Sequence, residues 1–369
     1  MPNRFRALIA HAALLGFGCL LALGVAEVAL RLYDPVGQRL LGDRIVLDRD
    51  QDVEFRNRAN PSLAPLIRFH RNSLGFRGPD PPADFDERLT VVAIGGSTTE
   101  GLFLGEGKTW PIRMAARLRS SFPRLWVNNA GLDGHTTFGH LMLLDQIVLP
   151  LRPKVALFLI GLNDVGRDAP KGREVAHASP SLLTRLARSS AFASLVQNLG
   201  RRREAQSMHL EHRELDLRYV RELPPNRAHA QAVLAGDRER LEAFESRVDE
   251  IVRVCRAGGV EPVLLTQPAL YSSGNDPDTG RQLRFFEVDE DRQIHAGLAW
   301  RRLEQYNEVT RAVGARQGVL VIDVARRLPG RFRDYYDWVH FTDAGADAVA
   351  AVVASELGPF LQARFPSSP

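Results

Sequence analysis

The stretch "LTVVAIGGSTTEG", residues 89–101, decides the fold class, because an apolar run ends there in two glycines and three hydroxyl side chains. Short runs rich in Val, Leu and Ile, bounded by Gly, Pro or Asn, are typical of buried strands. Ser97 therefore stands where a strand turns into a helix. It is either displayed for chemistry at the tip of the strand or it caps the helix as an ordinary turn residue.

Four more apolar runs follow, and longer amphipathic stretches alternate with them. With the first run, the predicted strands are 88–96, 124–131, 154–161, 259–268 and 318–324. The predicted helices cover about 109–121, 137–149, 237–257, 293–316 and 343–363. Strands that alternate with helices predict an α/β fold, with a parallel sheet covered on both faces and right-handed crossovers.

Residues 1–35 predict a membrane-spanning signal anchor. From Ala7 to Ala26 the chain has no Asp, Glu, Lys or Arg, and a helix of about 20 residues spans the hydrocarbon core of a bilayer. Arg4 and Arg6 precede this run, so the positive-inside rule keeps the N-terminus cytoplasmic and places the rest of the chain outside the cytoplasm. A cleaved signal peptide is the alternative. A lipoprotein is disfavoured, because Phe17 stands where "GFGC" would need a small residue.

Two other segments carry no predicted strand of the sheet. Residues 36–88 are rich in Arg, Asp, Asn and Pro, which predicts an extended lead-in segment. Residues 165–238 are too long and polar for a simple crossover, and they predict a helical insertion. An amphipathic helix within it ends in the basic run "GRRR", 200–203. This insertion is a helical decoration, a lid, or a surface that lies against a membrane.

Composition excludes several classes of protein. The chain has 369 residues, of which 44% are hydrophobic and 25% charged, as in globular proteins, and its net charge of +4 predicts no nucleic-acid partner. Cys19 and Cys255 lie in different kinds of segment, and we expect both to be packing residues rather than a disulfide. No Cys/His cluster has metal-ligand spacing, so no metal is expected.

Polar residues stand after the predicted strands, at the edge of a parallel sheet where ligands bind. They are Gly95-Gly96-Ser97, Asn129-Ala130-Gly131, Gly161-Leu162-Asn163-Asp164 and, before the last helix, Asp337 with His340. We expect His135 to be a solvated loop residue and Asp164 to be a turn residue that supports Asn163.

These residue types suffice for acyl transfer. His340 can accept the proton of the Ser97 hydroxyl, and Asp337, three residues earlier in a tight loop, can fix the tautomer of the imidazole. The predicted donors of an oxyanion hole are the backbone N–H of Ser97, the backbone N–H of Gly131 and the side-chain amide of Asn163.

The sequence resembles the SGNH, or GDSL-type, esterases and lipases at these residues. The four marker blocks of that family match Ser97 in "GGSTTEG", Gly131 in "NNAGLDG", Asn163 in "GLND", and Asp337 with His340 in "DWVH". The resemblance runs over about 89–357. It implies a hydrolase domain within 89–369, a flavodoxin-like three-layer α/β/α sandwich with a five-stranded sheet, and no metal or organic cofactor.

One position departs from the family pattern. The first block usually reads Gly-Asp-Ser, but Gly96 stands where the Asp would be, so the hydrogen bonds around the nucleophile loop must differ. The stretch "NSLGFRGPD", 72–80, resembles a membrane-anchored bacterial subgroup.

The predicted function is that of a serine esterase, membrane-anchored and acting outside the cytoplasm on an ester of a glycan, a lipid or another alcohol. An O-acyltransferase or deacetylase of envelope polysaccharide would use the same residues with another acceptor or substrate. A non-catalytic module that binds phosphate at the glycine-rich turn is the third hypothesis, but "GGSTTEG" lacks the lysine of a P-loop.

Overall fold

The computed structural model describes residues 2–32, 40–41, 44–45, 47–167, 190–192, 195, 212–272 and 274–366. Its chain divides into two units. The first contains Met1–Val46 and Gly172–Glu204, and the second contains Leu47–Lys171 and Ala205–Pro369.

The first unit is dominated by one long helix, α1, Pro2–Leu32. Its large apolar side chains are exposed, including Leu14 and Leu15, each with 71% of its surface accessible. The Glu27 carboxylate accepts hydrogen bonds from the Ser190 hydroxyl and from the Ala191 N–H, both at 2.8 Å. Two short strands, β1 (Leu40–Leu41) and β2 (Arg44–Ile45), pair antiparallel.

The second unit carries the remaining strands and helices. Its strands are β3 (Gln51–Arg56), β4 (Leu66–Arg71), β5 (Thr90–Gly95), β6 (Trp126–Asn129), β7 (Val155–Leu159), β8 (Glu261–Leu265), β9 (Glu287–Asp289), β10 (Ile294–His295) and β11 (Val321–Ile322). Its α-helices are α2 (Ser97–Glu100), α3 (Trp110–Leu118), α4 (Thr137–Leu143), α5 (Leu149–Leu151), α6 (Arg227–Gly236), α7 (Arg238–Ala257), α8 (Ala296–Gln317), α9 (Val324–Arg327) and α10 (Asp343–Arg364). A π-helical turn, Leu144–Val148, joins α4 to α5.

A five-stranded sheet with the order β11-β8-β7-β5-β6 forms the centre of this unit, and all of its pairs are parallel. β5 lies between β6 and β7, the next two strands along the chain, so the strand order reverses at β5. Ligands bind at such a switch point in open parallel sheets. The predicted α/β fold, its five strands and their flavodoxin-like order are confirmed.

Helices cover both faces of the sheet. Val91 and Ala93 share a core with Met114 of α3 and Val353 of α10, and α3 packs against α10. Because side chains alternate along a strand, Val92 points to the opposite face, where α7 packs against both α4 and α8. Phe244 of α7 meets Tyr306 of α8 with ring centroids 5.0 Å apart. The three-layer arrangement is therefore confirmed.

Residues 47–88 differ from the extended lead-in that the sequence predicts. β3 and β4 form an antiparallel hairpin, because Ile67 and Phe69 alternate with exposed residues and bury one face of β4. Arg77 exchanges two backbone hydrogen bonds with Asn129, of 3.0 and 2.9 Å, at the end of β6. This segment therefore folds onto the edge of the central sheet.

Among the described residues, α10 is the helix that is long and apolar enough to cross a membrane. Its Val349, Val353 and Leu357 are fully buried in the core, so it is a core helix of the sandwich. The apolar stretch Leu14–Leu30 within α1 is shorter. The N-terminal anchor stays a prediction.

Most of the predicted insertion lies outside the described residues, including the basic run at 200–203. Its described end leads into α6, where the Asn226 side chain accepts the His229 N–H and caps the helix.

Candidate active site

Ser97 is held at the end of β5 by the turn that the sequence predicts. Gly96 is extended, and its carbonyl accepts the N–H groups of Thr99 and Glu100 at 3.0 Å each. Ser97 is the first residue of α2 and is 5% exposed. Its own N–H has no partner within the helix, as is general for the first helical residues, and it can donate to a ligand.

Asp337 and His340 lie in the loop before α10, and the structure brings both to Ser97. Nε2 of His340 is 2.7 Å from Oγ of Ser97, and Nδ1 of His340 is 2.6 Å from Oδ2 of Asp337. When Nδ1–H donates to Asp337, Nε2 is left as the acceptor for the Ser97 hydroxyl.

The Asp337 carboxylate is fixed by its own loop. Its Oδ1 accepts the backbone N–H groups of Val339 at 2.9 Å and of His340 at 2.7 Å. Burial alone would raise the pKa of this carboxyl, but the nearby His340 charge and these hydrogen bonds lower the pKa below its ordinary value. Asp337 is therefore ionised and oriented for His340.

Asn163 also reaches this site. It lies in a 3₁₀ turn, Leu162–Asp164, directly after β7. Its side-chain amide donates to the His135 carbonyl at 3.0 Å, which uses one of the two N–H bonds. The second N–H can donate to a ligand.

Gly96, the position that departs from the family pattern, lies against Asn163. A Cβ atom on Gly96 would lie 2.3 Å from Nδ2 of Asn163, so in this chain a side chain at position 96 would displace the amide. The glycine therefore allows the Asn163 amide to lie beside the nucleophile turn.

The structure corrects the predicted role of Gly131. The Gly131 N–H donates to Oδ1 of Asn129 at 2.9 Å, so this donor is already engaged. A Cβ atom on Gly131 would lie 2.3 Å from the backbone nitrogen of Glu100. Gly131 thus lets its loop pack against α2, and its N–H does not serve the site.

Gly134 has the exposed backbone that was expected of Gly131. It lies in a turn closed by the His135 N–H and the Leu132 carbonyl at 3.1 Å, with a left-handed φ of 70°. Within the described residues the Gly134 N–H has no acceptor. The sequence offered one signal for it, a second glycine three residues after Gly131.

A buried ion pair holds the loop of Gly134. The Glu100 carboxylate accepts the Asp133 N–H at 2.7 Å, and Arg71 donates to it at 3.1 Å. The neighbouring Arg77 donates to the carbonyls of Glu100, Gly101, Leu104 and Gly105 at 2.7 to 3.1 Å. The segment before the sheet therefore fixes both the end of α2 and this loop.

One sequence expectation needs correction, whereas a second, that Asp164 is a turn residue, agrees with the 3₁₀ turn Leu162–Asp164. His135 is 8% exposed and packs against His140, with ring centroids 6.1 Å apart, so it is buried rather than solvated. Asp164 is a buried anchor: its carboxylate accepts the Thr137 hydroxyl at 2.6 Å and pairs with Arg247 at 3.3 Å. Burial raises the pKa of Asp164 although Arg247 and Thr137 act to lower it.

His212 is a site residue that sequence analysis missed. Its ring stacks on that of His340, with centroids 4.0 Å apart. The polar surroundings "HLEHRELD" give no sign of burial.

In the part of the chain that the structure describes, no group of three or more His, Cys, Asp or Glu side chains is arranged to hold a metal ion.

The model of the GDSL-like Lipase/Acylhydrolase family matches residues 93–348, more than half of the chain. No curated protein sequence matches the chain significantly. An acetylxylan esterase from Geobacillus stearothermophilus is a similar solved structure, with 15% identity, 73% of this chain and 94% of that chain covered, and a TM-score of 0.43. A lipase/acylhydrolase from Enterococcus faecalis has 17% identity, coverages of 73% and 96%, and a TM-score of 0.42.

Proposed function

Since the chain belongs to the GDSL-like lipase/acylhydrolase family and is an ester hydrolase of the SGNH type, we propose that Ser97 is its nucleophile, with His340 as the base and Asp337 as the partner of His340. The observation that carries this proposal is the unbroken chain of short hydrogen bonds from Ser97 through His340 to Asp337.

In the first half of the reaction, Oγ of Ser97 attacks the carbonyl carbon of the ester while Nε2 of His340 takes the hydroxyl proton. The resulting imidazolium lies beside the Asp337 carboxylate, which stabilises its charge. His340 then gives the proton to the leaving alcohol as the tetrahedral intermediate collapses to an acyl-enzyme.

In the second half, water takes the place of the alcohol. His340 removes a proton from the water as its oxygen attacks the acyl carbon. The same proton returns to Ser97 when the carboxylic acid leaves, so the enzyme regains its starting state.

The negative oxygen of both tetrahedral intermediates needs preorganised donors. We assign this role to the Ser97 N–H, the free amide N–H of Asn163 and the Gly134 N–H. Gly134 replaces Gly131, because the Gly131 N–H is held by Asn129, whereas Gly134 immediately precedes the carbonyl that Asn163 binds.

We also propose that α1 anchors the enzyme to a membrane and that the hydrolase acts outside the cytoplasm. The support is the exposed apolar surface of α1, where Phe17 and Leu20 are 65% and 70% exposed, together with the two arginines before the apolar run. Protease digestion of spheroplasts tests the location. We expect external protease to destroy the hydrolase, and protection until lysis would contradict the proposal.

A pair of serine variants tests the catalytic proposal. We expect Ser97→Ala to lose turnover of p-nitrophenyl acetate by at least ~10³-fold and to keep the native circular dichroism spectrum. Ser355→Ala, which changes an exposed serine of α10, is the matched control and should keep wild-type activity. Full activity of Ser97→Ala would refute the assignment of the nucleophile.

A further inference from the structure

His212 covers one face of the His340 ring. The two imidazoles lie at an interplanar angle of 29°, with centroids 4.0 Å apart, which is an offset stack of two aromatic rings. His212 is 7% exposed. The residue therefore lies inside the site, although it comes from the end of the insertion and 128 positions before His340.

The orientation of His212 is fixed from three sides. Its Nδ1 is 2.8 Å from the hydroxyl of Tyr336, and its Nε2 is 3.5 Å from Oδ1 of Asp133. Phe103 packs against the ring with centroids 5.6 Å apart. The backbone of His212 has a left-handed φ of 54°, a conformation that most residues avoid. Such a geometry restricts the ring to the position that covers His340.

Tyr336 links the two histidines. Its ring is nearly parallel to that of His340, at 12°, with centroids 5.6 Å apart, and its N–H donates to the His340 carbonyl at 3.1 Å. The Tyr336 hydroxyl can donate to Nδ1 of a neutral His212 or accept from a protonated one. His212 can therefore hold its place in either charge state.

We propose that His212 is a positioning residue of the esterase, which holds the His340 ring by stacking and which, when it takes up a proton, weakens His340 as a base. The inference depends on the proposed role of His340. It adds a second group whose charge controls the reaction, because two positive rings 4.0 Å apart repel one another.

The carboxylates that face His212 favour its protonation, and they belong to Asp133, Asp337 and Glu100. The Tyr336 hydroxyl and the His340 ring also face His212. Burial lowers the pKa of His212, but the Asp133 carboxylate, 3.5 Å from Nε2, followed by the charges of Asp337 and Glu100, raises the pKa above its ordinary value. The burial of Tyr336 raises the pKa of its hydroxyl well above the ordinary value, so that hydroxyl stays neutral.

The test is the number of protonation steps in the fall of kcat/KM toward low pH, which is the acid limb of the pH profile. In the wild type, one proton on His212 reduces the rate and a second proton, on His340, abolishes it, so the limb falls in two steps. His212→Phe keeps an aromatic ring over His340 and removes the titrating group. Its limb should fall in one step, with kcat at pH 8 within about threefold of wild type.

His212→Asn tests the stacking separately. Asparagine tolerates the left-handed backbone but leaves His340 without a ring above it. We expect kcat at pH 8 to fall by about tenfold or more, because small misplacements of a catalytic group are costly, with KM changed less than about twofold. His70→Phe is the matched control: His70 is an exposed histidine paired with Asp52 at 2.8 Å, and its loss should leave the profile unchanged.

The variants are measured on full-length protein after a fluorophosphonate probe has been shown to label Ser97. A single protonation step in the wild-type profile, or two steps in the profile of His212→Phe, overturns the proposed effect of the His212 charge. Wild-type kcat in His212→Asn overturns the positioning role. If either variant does not fold, as judged by thermal unfolding, the number of protonation steps in the wild-type profile decides the inference. An unlabelled Ser97 would instead refute the proposed function itself.

Discussion

Oγ of Ser97 lies 2.7 Å from Nε2 of His340, although the two residues are 243 positions apart in the chain. Ser97 follows β5, at the switch point of the sheet, and His340 precedes the last helix. The contact forms because β5 ends where α10 begins, at one edge of the sheet.

Asn163 should contribute mainly to the rate. Replacement of one oxyanion donor typically costs about 10²- to 10³-fold in kcat, and we expect this loss in Asn163→Ala with a small change in KM. Steady-state kinetics on a p-nitrophenyl ester measures both. The control is Asn226→Ala, which removes the cap of α6 and should cost about 1 kcal/mol of stability at unchanged kcat. Equal kcat values in the Asn163 variant and the wild type would remove Asn163 from the oxyanion hole.

Gly96→Ala should impair catalysis more than folding. The added methyl group would meet Nδ2 of Asn163 at 2.3 Å, and a flexible amide can move away from it. We therefore expect kcat to fall by at least ~10-fold while the thermal midpoint stays close to that of the wild type. Gly236→Ala adds the same methyl group to open space at the end of α6 and should keep full activity. A fully active Gly96→Ala would contradict the close placement of Asn163.

Arg77 should matter for stability. Its buried guanidinium donates to four backbone carbonyls between Glu100 and Gly105, and it lies over the Phe69 ring at 4.0 Å. Arg77→Met removes these four hydrogen bonds, although the carbonyls of Gly101 and Gly105 keep the N–H groups of Leu104 and Lys108 as donors. The loss should lower the free energy of unfolding by roughly 2–4 kcal/mol. Arg68→Met breaks an exposed pair with Glu54 and should cost less than about 1 kcal/mol. Urea unfolding compares them, and equal losses would refute this role for Arg77.

Asp337 should stabilise the protein in a pH-dependent way. The pKa of Asp337 in the folded protein is lowered from 3.8. The stabilisation by Asp337 is therefore complete above its pKa in the unfolded chain, and it is lost as the pH falls through its pKa in the folded protein. The difference in free energy of unfolding between wild type and Asp337→Asn should therefore be largest near neutral pH and shrink below pH 3.8. Urea unfolding at several pH values measures it, and a difference that grows in acid would contradict the lowered pKa.

The sheet could be predicted from sequence because its strands are buried on both faces and appear as continuous apolar runs, such as "VALFL" in β7. Ser97, Asn163 and His340 could be predicted to meet because each follows a strand or precedes the last helix. The hairpin of β3 and β4 was missed although Ile67, Phe69 and Arg71 alternate with exposed residues. The hairpin was missed because its many charged residues resemble the composition of a loop.

The other differences between the sequence prediction and the structure depend on tertiary contacts that no local sequence pattern encodes. Gly131 and Gly134 are both glycines of one loop, and only the Asn129 side chain decides which N–H is free. His212 reaches His340 through tertiary packing with Phe103 and Tyr336. Such residues carry no periodicity of their own.

Site mapping of a fluorophosphonate adduct on the full-length protein tests most directly whether Ser97 is the activated nucleophile. The probe forms a covalent bond only with a serine whose hydroxyl is activated by a base. We predict one adduct, on Ser97, which is lost in Ser97→Ala and forms much more slowly in His340→Ala. An adduct on a different serine, or labelling of Ser97 at the same rate without the His340 imidazole, would contradict the account.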